Sequence, residues 1–289
     1  MLNIQKILLP VDFPDTSLRV IHQAAILAQH FNSEIVMLHV VTALSQAAGV
    51  PGDSARLASW DMISQIIRRT KENVAWDFLS SELTDLTIKS LVVKGHVART
   101  IVQTAQEEKA DLIMMPSYGD AFEQFLLGCV TGKVLQWAEC PVWTDAHLEE
   151  LPTQEFAIRH VLCAVDFTEH NRRAVSWAAQ LASGFGAGLT LAHVTPSVEL
   201  WGPGGNYVNP KFKEVLTGDA SKHISKLQQT IDIKADVFIG SGDVPAVLRS
   251  AVEQTKADLL VTGCRPYGLH LRTHGYAIIC AVPIPVLNM

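Results

Sequence analysis

The chain has 289 residues, about twice the usual domain size, so two domains that each bury their own core are expected. Its 48% hydrophobic and 18% charged residues and formal net charge of -6 are ordinary for a folded globular protein and exclude disordered and collagen-like classes. The mild acidity, with a sequence pI near 6.0, offers no basic stripe for phosphate backbones and argues against DNA or RNA as partners.

The opening segment MLNIQKILLPVDF places Asn3, Gln5, Lys6 and Asp12 where an export signal would need an apolar core. No apolar run reaches membrane-spanning length, so no membrane partner is expected. Lys6 to Val11 reads instead as a first strand. Leu18, Ile21, Ala25 and Ala28 then recur at helical spacing, and Glu34 to Val40 forms a second apolar run. The long segment that follows carries Trp60, Trp76 and Phe78, expected to cover the sheet, with an apolar ligand groove as the lesser reading. Further strands are predicted at Thr87 to Val93, Asp111 to Met115 and Val142 to Thr144.

After the polar, Pro-containing stretch AHLEELPTQEF, which suits a linker, the order repeats. Strands are predicted at His160 to Val165, Gly188 to Val194, Ile233 to Ile239, Asp258 to Thr262 and Val286 to Leu287. Val175, Ala178, Ala179, Ala182 and Phe185 form the helical stripe between the first two. The Gly-rich WGPGGNY, Trp201 to Tyr207, lacks the GK[ST] that completes a Walker cradle and is expected to be a flexible surface turn.

The repetition extends to identities. ILLPVDF recurs as VLCAVDF, and at the same offset of 154 positions Arg19 pairs with Arg173, Phe31 with Phe185 and His39-Val40 with His193-Val194. Lys109-Ala110-Asp111-Leu112 recurs as Lys256-Ala257-Asp258-Leu259 at an offset of 147, and Pro141-Val142 as Pro285-Val286 at 144. The domains are therefore placed at 1–146 and 157–289, with a linker at 147–156.

Alternating β and α segments with apolar strands imply an α/β fold: two tandem doubly wound five-stranded parallel-sheet domains. Each would end in a strand whose edge needs covering, so a pseudo-two-fold intramolecular dimer is expected, with Val142 to Thr144 meeting Pro285 to Leu287. Whether the tandem pair assembles into a further homo-oligomer is left open. Ligands in such sheets bind beyond the carboxyl ends of the strands, where strand order reverses. That singles out Asp12, Val40 and Met115 to Gly119, with Asp166, Val194 and Thr262 to Pro266 in the second copy.

At those positions the chain resembles the universal stress protein family. The resemblance is carried by ILLPVDF, MLHVV and LAHVT, GHVARTI and GDVPAVL, and ADLIMMPSYG followed by FLLGCVTGKVLQWAECPVW. It implies an adenine nucleotide alpha hydrolase-like fold and a role in stress response. In members that bind ATP it implies a loop of Gly, two residues, Gly, nine residues, Gly and then Ser or Thr, with Asp12 and Asp166 as acceptors for adenine or ribose. Both loops here depart from that pattern. The first copy has Pro116, Gly119, eight residues, Gly128 and Cys129; the second has Gly263, Pro266, eight residues, Gly275 and Tyr276. Pro116 removes an N–H and Cys129 replaces a hydroxyl with a weak donor, so the resemblance implies at most weak binding of ATP or another adenine nucleotide. Val40 and Val194 would line the pocket only secondarily to their role in the sheet. Asp12 and Asp166 also have a plainer reading, as strand-end carboxylates capping the next helix.

Three function classes follow: a stress-response binding or signalling module, a slow ATPase or nucleotide hydrolase, and a partner-binding protein with vestigial pockets. No Ser-His-Asp order or paired carboxylate supplies a catalytic centre, and His39 and His193 are expected to be hydrogen-bonded structural residues. The five cysteines, Cys129, Cys140, Cys163, Cys264 and Cys280, are odd in number and scattered, which fits reduced thiols and a cytoplasmic location. Cys264, His270, His274 and Cys280 match no standard zinc spacing, and no metal is expected.

Overall fold

The computed structural model describes residues 2–11, 18–41, 86–117, 129–145, 156–168, 171–197, 199–202, 205–208, 210–263 and 272–289. In the first copy these hold β1 (Lys6–Pro10), α1 (Leu18–Phe31), β2 (Glu34–Val41), β3 (Ile88–Lys94), α2 (Val97–Glu107), β4 (Leu112–Pro116), α3 (Cys129–Trp137) and β5 (Val142–Asp145). The second copy holds β6 (His160–Ala164), α4 (Asn171–Phe185), β7 (Gly188–Thr195), β8 (Glu199–Gly202), β9 (Gly205–Val208), α5 (Pro210–Ile231), β10 (Asp236–Ser241), α6 (Val244–Thr255), β11 (Leu259–Thr262), α7 (Arg272–Ala281) and β12 (Val286–Asn288). Every predicted strand is present, with ends shifted by a residue or two except at β10. WGPGGNY is not merely a surface turn: it lies across β8 and β9, which pair antiparallel from Glu199↔Val208 to Gly202↔Gly205.

Ten strands form one sheet in the order β10-β7-β6-β11-β12-β5-β4-β1-β2-β3. Among the described strands each half is parallel throughout, and the two halves of the sheet join at the antiparallel pair β5·β12, with Val286↔Thr144, Leu287↔Trp143 and Asn288↔Val142. The sequence thus runs outward in mirrored order from a central seam, the pseudo-two-fold arrangement expected from the edge strands.

The strand pleat divides the core. Ile7 and Leu9 face one side of the sheet and Leu8 the other, as alternation requires. On the first side, α1 and α4 pack with Ile224 of α5 into a single apolar cluster that spans both halves and includes Trp143 and Leu287. On the opposite side, α2 and α3 cover the first half and α6 and α7 the second, in two separate clusters. Helices on both faces explain why the strands read as almost unbroken apolar runs.

The repeated Lys-Ala-Asp-Leu has a mechanical explanation. Lys109 and Lys256 take left-handed backbone (φ 55 and 53) where α2 and α6 end, and Ala110 and Ala257 are buried behind them. Asp111 Oδ2 then accepts from the backbone N–H groups of Gln5 and Lys6 at 2.8 and 2.9 Å, and Asp258 Oδ2 from those of Arg159 and His160 at 2.8 and 2.9 Å. Each carboxylate clips the start of β4 or β11 to the start of β1 or β6, which sets the register of the central strands.

Candidate functional site

Strand order reverses between β1 and β4 in the first half and between β6 and β11 in the second, so the carboxyl ends of these four strands define the candidate sites. Each reversal is braced by a histidine. His39 Nδ1 lies 3.0 Å from Val11 O, and His193 Nδ1 lies 2.7 Å from Val165 O. A carbonyl only accepts, so each Nδ1 carries the proton and ties the second strand to the residue just before Asp12 or Asp166. The structural reading of both histidines is borne out.

In the second copy Asp166 follows β6, and its Oδ1 accepts from the Thr168 N–H at 2.9 Å, the Thr168 hydroxyl at 2.7 Å and the Asn171 side-chain amide. This is an Asx turn with an added side-chain donor. The carboxylate organises the loop ahead of α4 rather than the helix end itself, whose first N–H, on Asn171, donates to Thr168 O at 3.1 Å. Between them Phe167 sits in the left-handed region (φ 63), its ring 4.2 Å from that of His193 and 5.2 Å from that of His223 on α5.

Gly263 follows β11, directly against this turn. A Cβ there would lie 2.8 Å from Asn171 Oδ1 and 3.5 Å from Ala174 Cβ, so the absence of a side chain is required by Asn171. Gly275 lies within α7 rather than ahead of it, with open space at its Cβ position. The next residue, Tyr276, sends its hydroxyl to Gly132 O on α3 at 2.8 Å, across the seam between the halves. The side chain that stands where the loop pattern calls for a small hydroxyl is thus engaged with the other copy.

The first copy differs. Pro116 ends β4, and its carbonyl accepts from the Thr131 hydroxyl on the first turn of α3 at 3.1 Å. Ser117, the next residue, is fully buried, and its Oγ has no hydrogen-bond partner among the described residues. Cys129 is the first residue of α3. Val40 and Val194, near the ends of β2 and β7, are partly buried and pack against the two separate clusters on the far face. Asp12, Gly119 and Gly128 lie outside the described residues, as do Trp60, Trp76, Phe78, Cys264 and His270.

Burial pushes the Cys163 thiol up to about 12 and the Cys140 thiol to about 11, so neither offers a thiolate at neutral pH. Among the described residues no group of three His, Cys, Asp or Glu side chains could hold a metal, and no helix is long and apolar enough to cross a membrane.

Sequence reasoning marked Ser117 only as part of the Met115 to Gly119 span, and missed Thr168, Asn171 and the reach of Tyr276. The Asp-x-Thr-x-x-Asn spacing from Asp166 to Asn171 was the available signal for the turn; nothing in the sequence marks Ser117 as orphaned.

Two mirrored doubly wound halves on one sheet, each with a strand-order reversal, define a tandem doubly wound α/β protein. The chain belongs to the universal stress protein family, whose model matches it twice, at residues 3–144 and 157–287. A universal stress protein of Methanocaldococcus jannaschii is 31% identical over 140 residues, covering 48% of this chain and 79% of that protein. A universal stress protein A homolog of Haemophilus influenzae is 31% identical over 107 residues, covering 36% of this chain and 76% of its own. A solved universal stress protein from Archaeoglobus fulgidus shares the fold across the tandem, with a TM-score of 0.70 at 21% identity, covering 99% of this chain and 96% of that one.

Proposed function

We propose that this universal stress protein is a cytoplasmic binding module whose first copy takes an adenine nucleotide weakly, while its second copy serves as a structural partner. The observation that carries this reading is the contrast between the ends of β4 and β11. In the first copy a buried hydroxyl, Ser117 Oγ, has no partner among the described residues, and an unmade hydrogen bond of this kind costs about 1 to 3 kcal/mol unless something supplies it. In the second copy the equivalent end is filled by Asn171 packed on Gly263, and Tyr276 is turned to the neighbouring half.

The aspartates differ in the same sense. Asp166 spends one oxygen on three donors, two of them from Thr168. The residue two positions after Asp12 is Pro14, which has neither an N–H nor a hydroxyl to offer a carboxylate, unlike Thr168 two positions after Asp166. Asp12 and Val40 would hold the adenosine part, and Gly119, Gly128 and the start of α3 would face the phosphates. Pro116 and Cys129 each weaken that end. Losing one charge-assisted hydrogen bond costs about 1.5 to 3 kcal/mol, or one to two powers of ten in affinity.

The test is calorimetry with ATP, AMP and adenosine on wild type, Asp12→Ala and Asp166→Ala. Micromolar or weaker binding that Asp12→Ala abolishes and Asp166→Ala leaves intact is expected. Submicromolar ATP binding, or loss only in Asp166→Ala, would overturn the assignment.

A further inference from the structure

We infer that Tyr276 makes the second copy a positioning element for the first copy's candidate site, coupling the two halves through the opening turn of α3. This deepens the reading just given, naming how that site is regulated. Tyr276 belongs to α7, and its hydroxyl donates to Gly132 O at 2.8 Å, a carbonyl that lies 144 positions away in sequence. The approach is close: a Cβ at 132 would stand 3.0 Å from the Tyr276 oxygen and 3.4 Å from Cζ, tight enough to press on the phenol. The residue before Gly132 is Thr131, whose hydroxyl holds Pro116 O, and the residue after Pro116 is Ser117 with its unpartnered Oγ. The contact between the halves is therefore one helical turn from the groups that would meet the ligand.

Packing reinforces the connection. Leu135, one turn further along α3, lies against the far-face clusters of both halves, so α3 is wedged between its own sheet and the second copy. A movement of its first turn toward or away from a phosphate must carry α7 with it or break the phenol bond. The repeat places different side chains at the matching positions. The counterpart of Tyr276 is Cys129, and that of Gly132 is Ile279, a buried side chain that leaves no such clearance. The second copy has replaced a ligand-loop hydroxyl with a phenol that serves its neighbour.

The decisive experiment is hydrogen exchange on the full chain, without ligand, comparing wild type with Tyr276→Phe, which keeps the ring and removes the oxygen. The amides of Lys133 to Gln136 should exchange about three- to tenfold faster, the effect of one lost hydrogen bond, with the amides of Ile101 to Ala105 in α2 unchanged. Gly132→Ala, which displaces the phenol from the other side, should reproduce the pattern. ATP affinity measured by calorimetry should fall by a similar factor in both variants. Faster exchange confined to α3 in a protein that takes no ATP supports the coupling while sinking the nucleotide reading. Unchanged exchange in α3, or equal acceleration in α2 and α3, overturns the coupling even where ATP binds.

Discussion

The two copies keep the same sheet and part company at its ends. At the carboxyl ends the first copy holds a buried Ser117, unpartnered among the described residues, beside a helix whose first turn is held from outside, whereas the second packs Asn171 against Gly263 and sends Tyr276 to the first copy. Beside the seam the contrast is reversed in kind. Trp143 of β5 donates from Nε1 to Gln23 Oε1 at 2.8 Å, Gln23 Nε2 donates to Asp145 Oδ2 at 2.7 Å, and Arg19 Nε meets the same oxygen at 2.7 Å. The matching positions in the second copy are Leu287, Trp177, Met289 and Arg173, so a buried polar chain faces a largely apolar set. Once both copies sit in one chain, each position needs only one good solution across the seam, and the halves are free to divide packing and binding between them.

The largest test of that division is Trp143→Leu, which gives the first copy the side chain its partner already uses. Trp143 and Gln23 are fully buried, so the change leaves both a cavity and an orphaned Gln23 carbonyl. A loss of about 3 to 5 kcal/mol in chemical denaturation is expected. A loss below about 1 kcal/mol would mean that the polar chain is dispensable and the two seam solutions are interchangeable.

Where the copies agree, variants should agree as well. Asp111→Ala and Asp258→Ala each remove a carboxylate that accepts two backbone N–H groups at nearly the same distances in both halves. Each should cost about 2 to 3 kcal/mol, and the two should add, because the clips stand at separate ends of the sheet. Unequal losses would show that the halves do not share their folding energetics, despite the common register.

How much of this was legible in sequence depends on how local the cause is. The strands were readable because burial on both faces leaves runs such as Ile7-Leu8-Leu9 and Leu259-Leu260-Val261, and the meeting of β5 with β12 followed from short edges that must be covered. The start of β10 was misplaced: Ile233 and Ala235 are apolar because they pack under the end of α5, where Gln228 hydrogen-bonds the Ala235 backbone, and the ladder begins only at Asp236. The β8·β9 hairpin was hidden by its glycines, since Gly202 and Gly205 close strands of only four residues each. Candidate site residues were proposed where the repeat and the strand ends mark them. Ser117 and Tyr276 were beyond reach because an absent partner and a contact across the seam leave no trace in local spacing.

The smallest expected effect lies at the amino ends of the strands, where the copies differ in charge. Lys6 Nζ sits 3.0 Å from Glu34 and 3.4 Å from Glu108, and Lys89 Nζ meets Glu108 at 2.8 Å. The counterparts of Lys6, Glu34, Glu108 and Lys89 are His160, Gly188, Thr255 and Asp236, which cannot rebuild this cluster. The hydrogen bond from Lys89, with that from Lys6, holds the Glu108 carboxyl below its ordinary 4.5, and the bond to Glu34, with that to Glu108, holds Lys6 above its ordinary 10.5. A depressed acid stabilises the fold above its unfolded value, and that stability is lost as pH falls through the folded one; a raised base stabilises below its unfolded value and loses this as pH rises through the folded one. Because these side chains are partly exposed, Glu108→Gln should cost no more than about 1 kcal/mol at neutral pH. The difference from wild type should stay flat between about pH 5 and 10, shrinking below about 4.5 as the carboxyl takes its proton and above about 10.5 as Lys6 loses one. Melting curves across that range, with Thr255→Ala as the second-copy control, provide the measurement. A difference that persists unchanged at pH 3 would assign the effect to packing of the Glu108 side chain, and a matching pH profile in Thr255→Ala would show that the two amino ends are not electrostatically distinct.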